Sequence, residues 1–354
     1  MTQAYINQIG TARPPHDVHD AFLAFMARGL PGERHRSLFE RMARRSGIAH
    51  RYSVLHKDGM VEADGPPGGF YRRAAFPGTA QRMRTYAAHA PALAERAVGA
   101  LDLQGREQEI THLIVASCTG FIAPGLDQIL AQKLGLRPDL QRTLVGFMGC
   151  AAAIPALRLA QACVLADPAA RVLVVNLELC TLHMQETDNV EVALSFMLFG
   201  DGCTAALVTA EPHGLALDDF RVAHIPDTEE LITWHIGDQG FLMHLSGKVP
   251  GRISAALRGD RDFILRDGDA QAIDLWAVHG GGRSVLDAVQ SGLSLEDDAL
   301  TPSRAVLGAY GNMSSATIMF VLAGMLGTAQ AGQRGLAMAF GPGMVAETFR
   351  FSAV

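Results

Sequence analysis

The chain has 354 residues, 49% of them hydrophobic and 19% charged, with a formal net charge of −6. That length and balance support a large buried core and exclude a disordered or fibrous chain. The mild charge excludes a global field drawing in nucleic acid or an anionic membrane, so any anionic ligand must be held by local clusters.

Met1 to Pro15 lacks a basic stretch followed by an apolar run, and the longest apolar segment, around Ala316 to Leu326, is too short to span a bilayer. A cytoplasmic protein without membrane contact is expected. From about Asp17 to Leu101 the chain is charged and Arg-rich with helical spacing, as in Ser37 to Arg45 and Arg82 to Val98, and is expected to cover the outside. The five cysteines, Cys118, Cys150, Cys163, Cys180 and Cys203, show no metal-ligand spacing, and their odd number argues against a disulfide framework. Reduced thiols and no metal are expected.

The chain then repeats itself. Arg142-Thr-Leu-Val-Gly-Phe-Met-Gly-Cys150 is echoed 162 positions later by Arg304-Ala-Val-Leu-Gly-Ala-Tyr-Gly-Asn312, and Thr111 to Gly120 lies over Ile273 to Gly282 at the same offset. Arg171 to Glu178 faces Arg334 to Gly341 with a slip of one residue. Three matches in order indicate duplication. Within each half, apolar runs rich in Val, Leu and Ile alternate with amphipathic segments such as Leu126 to Leu134 and Ala151 to Leu165, the pattern of strands buried on both faces by helices. The expectation is an α/β fold of two halves, 1–210 and 211–354, packed back to back as an αβαβα layered body. Residues 211–260 break the pattern and are expected to close over a site.

In such sheets ligands bind beyond the carboxyl ends of the strands, where helix N-termini aim unpaired N–H groups. Three polar residues are expected there. Cys150 follows the strand Thr143 to Phe147 and starts an alanine-rich helix; His279 follows Ile273 to Val278; Asn312 follows Ala305 to Leu307 and starts another helix. A thiol at a helix N-terminus beside an imidazole is set up as a nucleophile, its thiolate stabilised by the dipole and the N–H groups. Cys, His and Asn in that order also describe a papain-like peptidase, although there the cysteine stands near the mature N-terminus in another context. A duplicated fold without chemistry is a third reading, disfavoured because three polar residues are costly to keep in apolar elbows.

Gly149-Cys150, Trp276-Ala-Val-His279-Gly-Gly-Gly282, Tyr310-Gly-Asn312-Met-Ser-Ser315, Leu198-Phe199-Gly-Asp-Gly202 and Phe340-Gly-Pro-Gly343 together resemble the type III polyketide synthases, the chalcone synthase family, from roughly Phe39 onward. The resemblance implies a thiolase-like duplicated fold and a homodimer. It further implies that Cys150 takes an acyl group from CoA and holds the growing chain, while His279 and Asn312 stabilise the enolate formed when malonyl-CoA loses CO2. Phe199 then stands beside the departing carboxylate. Arg41 and Arg45, on one helix face, and Arg283 and Ser284 fall at CoA-binding positions, whereas Leu38 replaces a cation. Acyl-CoA and malonyl-CoA are the implied substrates, with no further cofactor, since no nicotinamide fingerprint surrounds Gly280 to Gly282.

The departures from the plant members concern the product. Met243 replaces a gatekeeping phenylalanine, Trp234 a glycine of the cyclisation cavity, and Cys118, Ala123, His183 and Ser314 fall at cavity positions. This reads as a bacterial-type pocket for an aliphatic or unusual starter, giving alkylpyrones or alkylresorcinols. Ketoacyl synthase III shares the fold and the Cys/His/Asn set but takes malonyl from a carrier protein. The His-Gly-Gly-Gly, Gly-Asn-Met-Ser-Ser and Gly-Pro-Gly segments favour the CoA-using family.

Overall fold

The computed structural model describes residues 2–259, 264–265 and 270–354. Met1 and Asp260, which bound two of the stretches considered above, lie outside the described residues. The chain runs β1 (Tyr5–Ala12), α1 (His19–Gly29), α2 (Gly32–Arg45), α3 (Thr79–Gly99), β2 (His112–Ser117), α4 (Leu126–Lys133), β3 (Gln141–Gly146), α5 (Ala153–Ala166), β4 (Val172–Leu179), α6 (Val190–Phe196) and β5 (Asp201–Thr209). It continues through β6 (Leu215–His224), β7 (Ile232–Gly237), β8 (Gly240–Leu245), α7 (Val249–Gly259), β9 (Leu275–Val278), α8 (Arg283–Leu293), α9 (Thr301–Tyr310), α10 (Ala316–Leu326), β10 (Arg334–Gly341) and β11 (Val345–Ala353).

The main sheet has the order β9-β10-β11-β6-β1-β5-β4-β2-β3. From its two edges inward the two parts mirror each other. In the first, β2 is parallel to β3 and β4, and β5 is antiparallel to β4 and β1. In the second, β9 is parallel to β10, and β11 is antiparallel to β10 and β6. The two meet where β1 pairs antiparallel with β6.

Three apolar clusters define the layers. Along β10 the side chains alternate: Ala337 and Ala339 join the cluster around the central helices α5 and α10, while Leu336, Met338 and Phe340 join the outer cluster under α7 and α8. That is the period-2 geometry of a strand. The inward residues are small, as are Ala116, Ala206 and Ala277, which lets the central helices approach both parts of the sheet. On the other side Leu113, Val115, Leu173 and Val175 pack beneath α3 and α4. The layers are therefore helix, sheet, helix, sheet, helix, as expected. Every residue of β4 is buried.

Two expectations need correction. Ala305 to Leu307 is not a strand but the middle of α9, so Asn312 follows a helix, and the second part lacks, among the described residues, the counterpart of β3. The reason is local: Pro302 pre-sets the first turn, and Ser303 and Leu307, four apart, are the buried residues. The longest apolar helical run is Gly149–Ala166 rather than Ala316–Leu326; it is long and apolar enough to cross a membrane, but here it forms part of the central layer.

Candidate active site

At the end of β3 the chain turns sharply, with Phe147 at φ 54° and Gly149 at φ 59°. Gly149 is required twice over. Its φ lies in the left-handed region, and a Cβ there would sit 2.4 Å from Pro342 Cδ. The turn presents Cys150 on a single 3-10 turn, Gly149–Ala151, that leads into α5.

His279 caps β9, donating its N–H to Met338 O at 2.8 Å. Its ring is buried, and neither Nδ1 nor Nε2 has a partner among the described residues. Asn312 is bound by its backbone to the segment before β5: it donates to Leu198 O at 2.8 Å and accepts from Gly200 N at 2.9 Å, forming a bridge with Phe199. Its Oδ1 accepts from Ser314 N at 2.8 Å and its Nδ2 donates to Gly281 O at 3.3 Å. Both terminal atoms of the amide lie 3.9 Å from Cys150 Sγ.

Cys150, His279 and Asn312 open onto one cavity of about 850 Å³ with a largely apolar wall. The insertion closes over it as expected: β7 and β8 pair as a hairpin with Trp234 opposite Met243, and both side chains line the cavity. Trp234 Nε1 donates to Cys118 O at 2.9 Å, fixing the indole. Cys118, Phe199, Ser314, Arg45, Arg283 and Ser284 also line the cavity.

Three expected residues do not. His183 is fully buried behind the wall: Nε2 donates to Thr119 O at 2.7 Å, Nδ1 accepts from Phe241 N at 3.1 Å, and the ring stacks on Phe241 at 4.2 Å. These two bonds and the stack absorb the imidazole into the scaffold. Ala123 is exposed on the surface beside Phe121, and Arg41 is exposed on α2, one turn before Arg45, without reaching the cavity.

The electrostatics differ from the simple expectation of a lowered thiol. Burial, reinforced by the Glu178 carboxyl, pushes Cys150 up to about 11, although bonds from Ser314 and Asn312 act in the opposite sense. Burial alone pushes His279 down to about 4. One cause thus acts on both groups, since a buried site penalises a lone charge of either sign. A proton passed from Sγ to the imidazole creates a pair of zero net charge, which avoids that penalty in part. Behind the thiol, Glu178 accepts from Ser315 Oγ at 2.6 Å, Thr119 Oγ1 at 2.9 Å and Cys118 N at 3.0 Å, and its burial raises it to about 7.

Sequence reasoning missed several neighbours of this site. Leu194, Met197 and Ile253 add apolar wall, and Arg51 lies beneath Phe199. Phe196 and Met197 lead as an apolar stretch into the Leu198–Gly202 motif; nothing in the spacing of Arg51 marks it.

Comparison with known proteins agrees along the whole chain. The profile described as chalcone and stilbene synthases, N-terminal domain, matches residues 2–212, and that of the C-terminal domain matches residues 219–354. An alpha-pyrone synthesis polyketide synthase-like protein, Pks18 of Mycobacterium tuberculosis, is 35% identical over 289 residues, covering 77% of this chain and 73% of its own length. Bisdemethoxycurcumin synthase of Oryza sativa is 34% identical over 99% of this chain and 92% of its own. Among solved structures, PKS-I of the brown alga Ectocarpus siliculosus superposes with a TM-score of 0.88 at 31% identity, covering 100% of this chain and 99% of that one. The 1,3,6,8-tetrahydroxynaphthalene synthase of Streptomyces coelicolor A3(2), a bacterial type III polyketide synthase, gives 0.86 at 28% identity and 99% of each chain.

Proposed function

The chain belongs to the chalcone and stilbene synthase family, the type III polyketide synthases, and from that membership we propose how its own residues carry out decarboxylative condensation. Cys150 Sγ, losing its proton to His279, attacks the acyl-CoA carbonyl; the carbon–sulfur bond to CoA breaks, and CoA leaves with a proton from the imidazolium. Malonyl-CoA then loses CO2. The electrons of the broken bond move onto the thioester as an enolate, whose oxygen receives hydrogen bonds from His279 and Asn312. Phe199 disfavours the departing carboxylate and favours neutral CO2. The enolate carbon joins the acyl carbon, and the Cys150 thiolate leaves. The observation that carries this reading is the convergence of Cys150, unpartnered His279 and Asn312, 3.9 Å from Sγ, on one cavity.

CoA enters along Arg45, Arg283 and Ser284, and the reaction needs only its thioester substrates. The apolar cavity, with Met243 and Trp234 in its wall, suits an aliphatic starter, and the product is an alkylpyrone or alkylresorcinol. The relative named for alpha-pyrone synthesis supports the pyrone. The halves 1–210 and 211–354 act as the two duplicated units, Cys150 on the first and His279 and Asn312 on the second. The active form is a homodimer joined along β3, an edge strand on which Leu144 is 51% exposed, with Phe121 in the loop after β2 and Met148 just beyond β3 46% and 38% exposed.

The test is to incubate the protein with malonyl-CoA and acyl-CoAs of graded chain length, analysing released products and intact protein by mass spectrometry. Pyrones or resorcinols with an acyl adduct on Cys150 support the reading. An adduct without extension would point to a carrier-dependent condensing enzyme instead, and Cys150→Ala retaining full synthesis would sink the nucleophile assignment.

A further inference from the structure

Arg51 is 1% exposed and forms no side-chain ion pair with a carboxylate among the described residues. Burying a guanidinium without a carboxylate in direct contact is expensive, and burial pushes this one down to about 9 although the charges of Asp17 and Asp201 act in the opposite sense. Its hydrogen bonds go elsewhere. Nη1 donates to two backbone carbonyls, Phe199 O at 2.8 Å and Phe196 O at 3.2 Å, while Nε donates to His19 Nδ1 at 2.9 Å. The guanidinium lies over the Phe22 ring, 4.2 Å from its centroid.

The stem of the same side chain supports the other arm of the site. A Cβ on Gly311, which has φ +70°, would meet Arg51 Cγ at 2.8 Å, and Gly311 immediately precedes Asn312. Phe199 and Asn312 are already joined through Asn312 N to Leu198 O and Gly200 N to Asn312 O. Arg51 therefore underlies both residues of that bridge.

A second, small cavity of about 30 Å³ is bounded by Arg51, Phe22, Phe196 and Phe199. Phe199 also lines the large cavity, so it forms part of the partition between the two. The backbone of Phe199 is held at its carbonyl by Nη1.

We propose that Arg51 is a positioning residue that holds Phe199 and Asn312 at the malonyl-binding face of the cavity, a role that rests on the functions proposed above for those two side chains. Its charge is used to bind carbonyls of the segment that must not recoil when substrate presses on the Phe199 ring. The neutral alternatives lack a fork able to hold two carbonyls and a ring nitrogen at once.

The experiment compares two starter-independent readings in Arg51→Met and Arg51→Lys: decarboxylation of malonyl-CoA, and alkylation of Cys150 by iodoacetamide, with folding checked by thermal unfolding. Decarboxylation in Arg51→Met is expected to fall about a hundredfold, the loss that about 1 Å of misplacement brings, while Cys150 alkylation falls by no more than about tenfold, the whole contribution of the Asn312 Nδ2 donation to Sγ. Arg51→Lys recovers part of the loss. If Arg51→Met does not fold, His19→Leu, which removes the acceptor of Nε, shows the same split with smaller amplitude. Decarboxylation and alkylation falling together, in proportion to the folded fraction, would overturn the proposal. Phe199→Leu separates the two levels: if it loses decarboxylation while folded Arg51→Met keeps it, the role of Arg51 fails alone. If Phe199→Leu keeps full decarboxylation, the assignment of Phe199 fails and this inference with it.

Discussion

The contact between Asn312 and Cys150 makes the isosteric change Asn312→Asp the sharpest probe of the site. A carboxylate placed where the amide now lies would stand 3.9 Å from Sγ. At an effective dielectric constant of about 20, two like charges at that distance repel by about 4 kcal/mol. The new carboxyl can escape by keeping its proton, but holding an ordinary aspartic acid neutral at pH 7 costs about 4 kcal/mol as well. Either route reduces the thiolate available at neutral pH by about a thousandfold. Asn312→Ala removes only the weak donation from Nδ2, worth about tenfold. The assay is the rate of iodoacetamide alkylation at Cys150, followed by peptide mass spectrometry at pH 7, so no starter need be known. In parallel, malonyl-CoA decarboxylation should fall about 10²- to 10³-fold in Asn312→Ala, the usual loss on deleting one oxyanion donor. Equal alkylation rates in the Ala and Asp variants would refute the Coulomb argument, and undiminished decarboxylation in Asn312→Ala would remove it from the enolate site.

Glu178 gives a pH prediction. Burial raises it from 4.5 to about 7, so the folded state holds the proton longer than the unfolded chain, and its contribution is complete below pH 4.5 and lost as pH rises through 7. Relative to Glu178→Gln, the native protein should lose up to about 3 kcal/mol between pH 4.5 and 7.5 in denaturant titrations; parallel curves would contradict this. Arg45→Ala should raise the KM for CoA thioesters about tenfold through loss of one charge-assisted contact, with Arg41→Ala affecting it less, because only Arg45 lines the cavity. Trp234→Leu should lengthen or redistribute products while malonyl decarboxylation persists, and identical product ratios would discount the indole as a wall. Leu144→Lys, on the exposed edge of β3, should shift the protein from dimer to monomer in sedimentation equilibrium.

How much of this was legible in the sequence depended on whether the signal was local. The strands and their duplication were, because buried strands read as apolar runs at any position, and β2, β3, β4, β9 and β10 lie where those runs are. The repeat misled at α9. There the echo of Arg142–Cys150 aligned the residues, yet Pro302 and the spacing of Ser303 and Leu307 carry a helix, so a shared sequence ancestry did not guarantee a shared conformation. For the site, Cys150, His279 and Asn312 stood out as polar residues in apolar surroundings. His183, placed at a cavity position by the family resemblance alone, is scaffold, since its two bonds are to backbone atoms of Thr119 and Phe241, 64 and 58 residues away. A side chain's use of distant backbone leaves no local pattern. The same holds for Arg51, whose carbonyl partners lie 145 and 148 residues along the chain.

That distinction bears on how the site is activated. The sequence located a cysteine at a helix start and suggested a permanently lowered thiol. The surrounding burial, contributed by residues from both parts of the sheet, pushes the thiol and the imidazole toward their neutral forms. Sγ is thus held in its less reactive thiol form in the free enzyme. In the proposed mechanism, activation consists of moving one proton from Sγ to His279, which lines the same cavity, and it costs least when incoming substrate brings dipoles that stabilise the pair. A thiol alkylated slowly at pH 7 in the free enzyme, yet acylated rapidly by a bound CoA thioester, is the behaviour this arrangement requires. Fast alkylation by iodoacetamide with a low apparent pKa would instead mean that the ion pair is already formed at rest, with the attraction between its partners outweighing their burial.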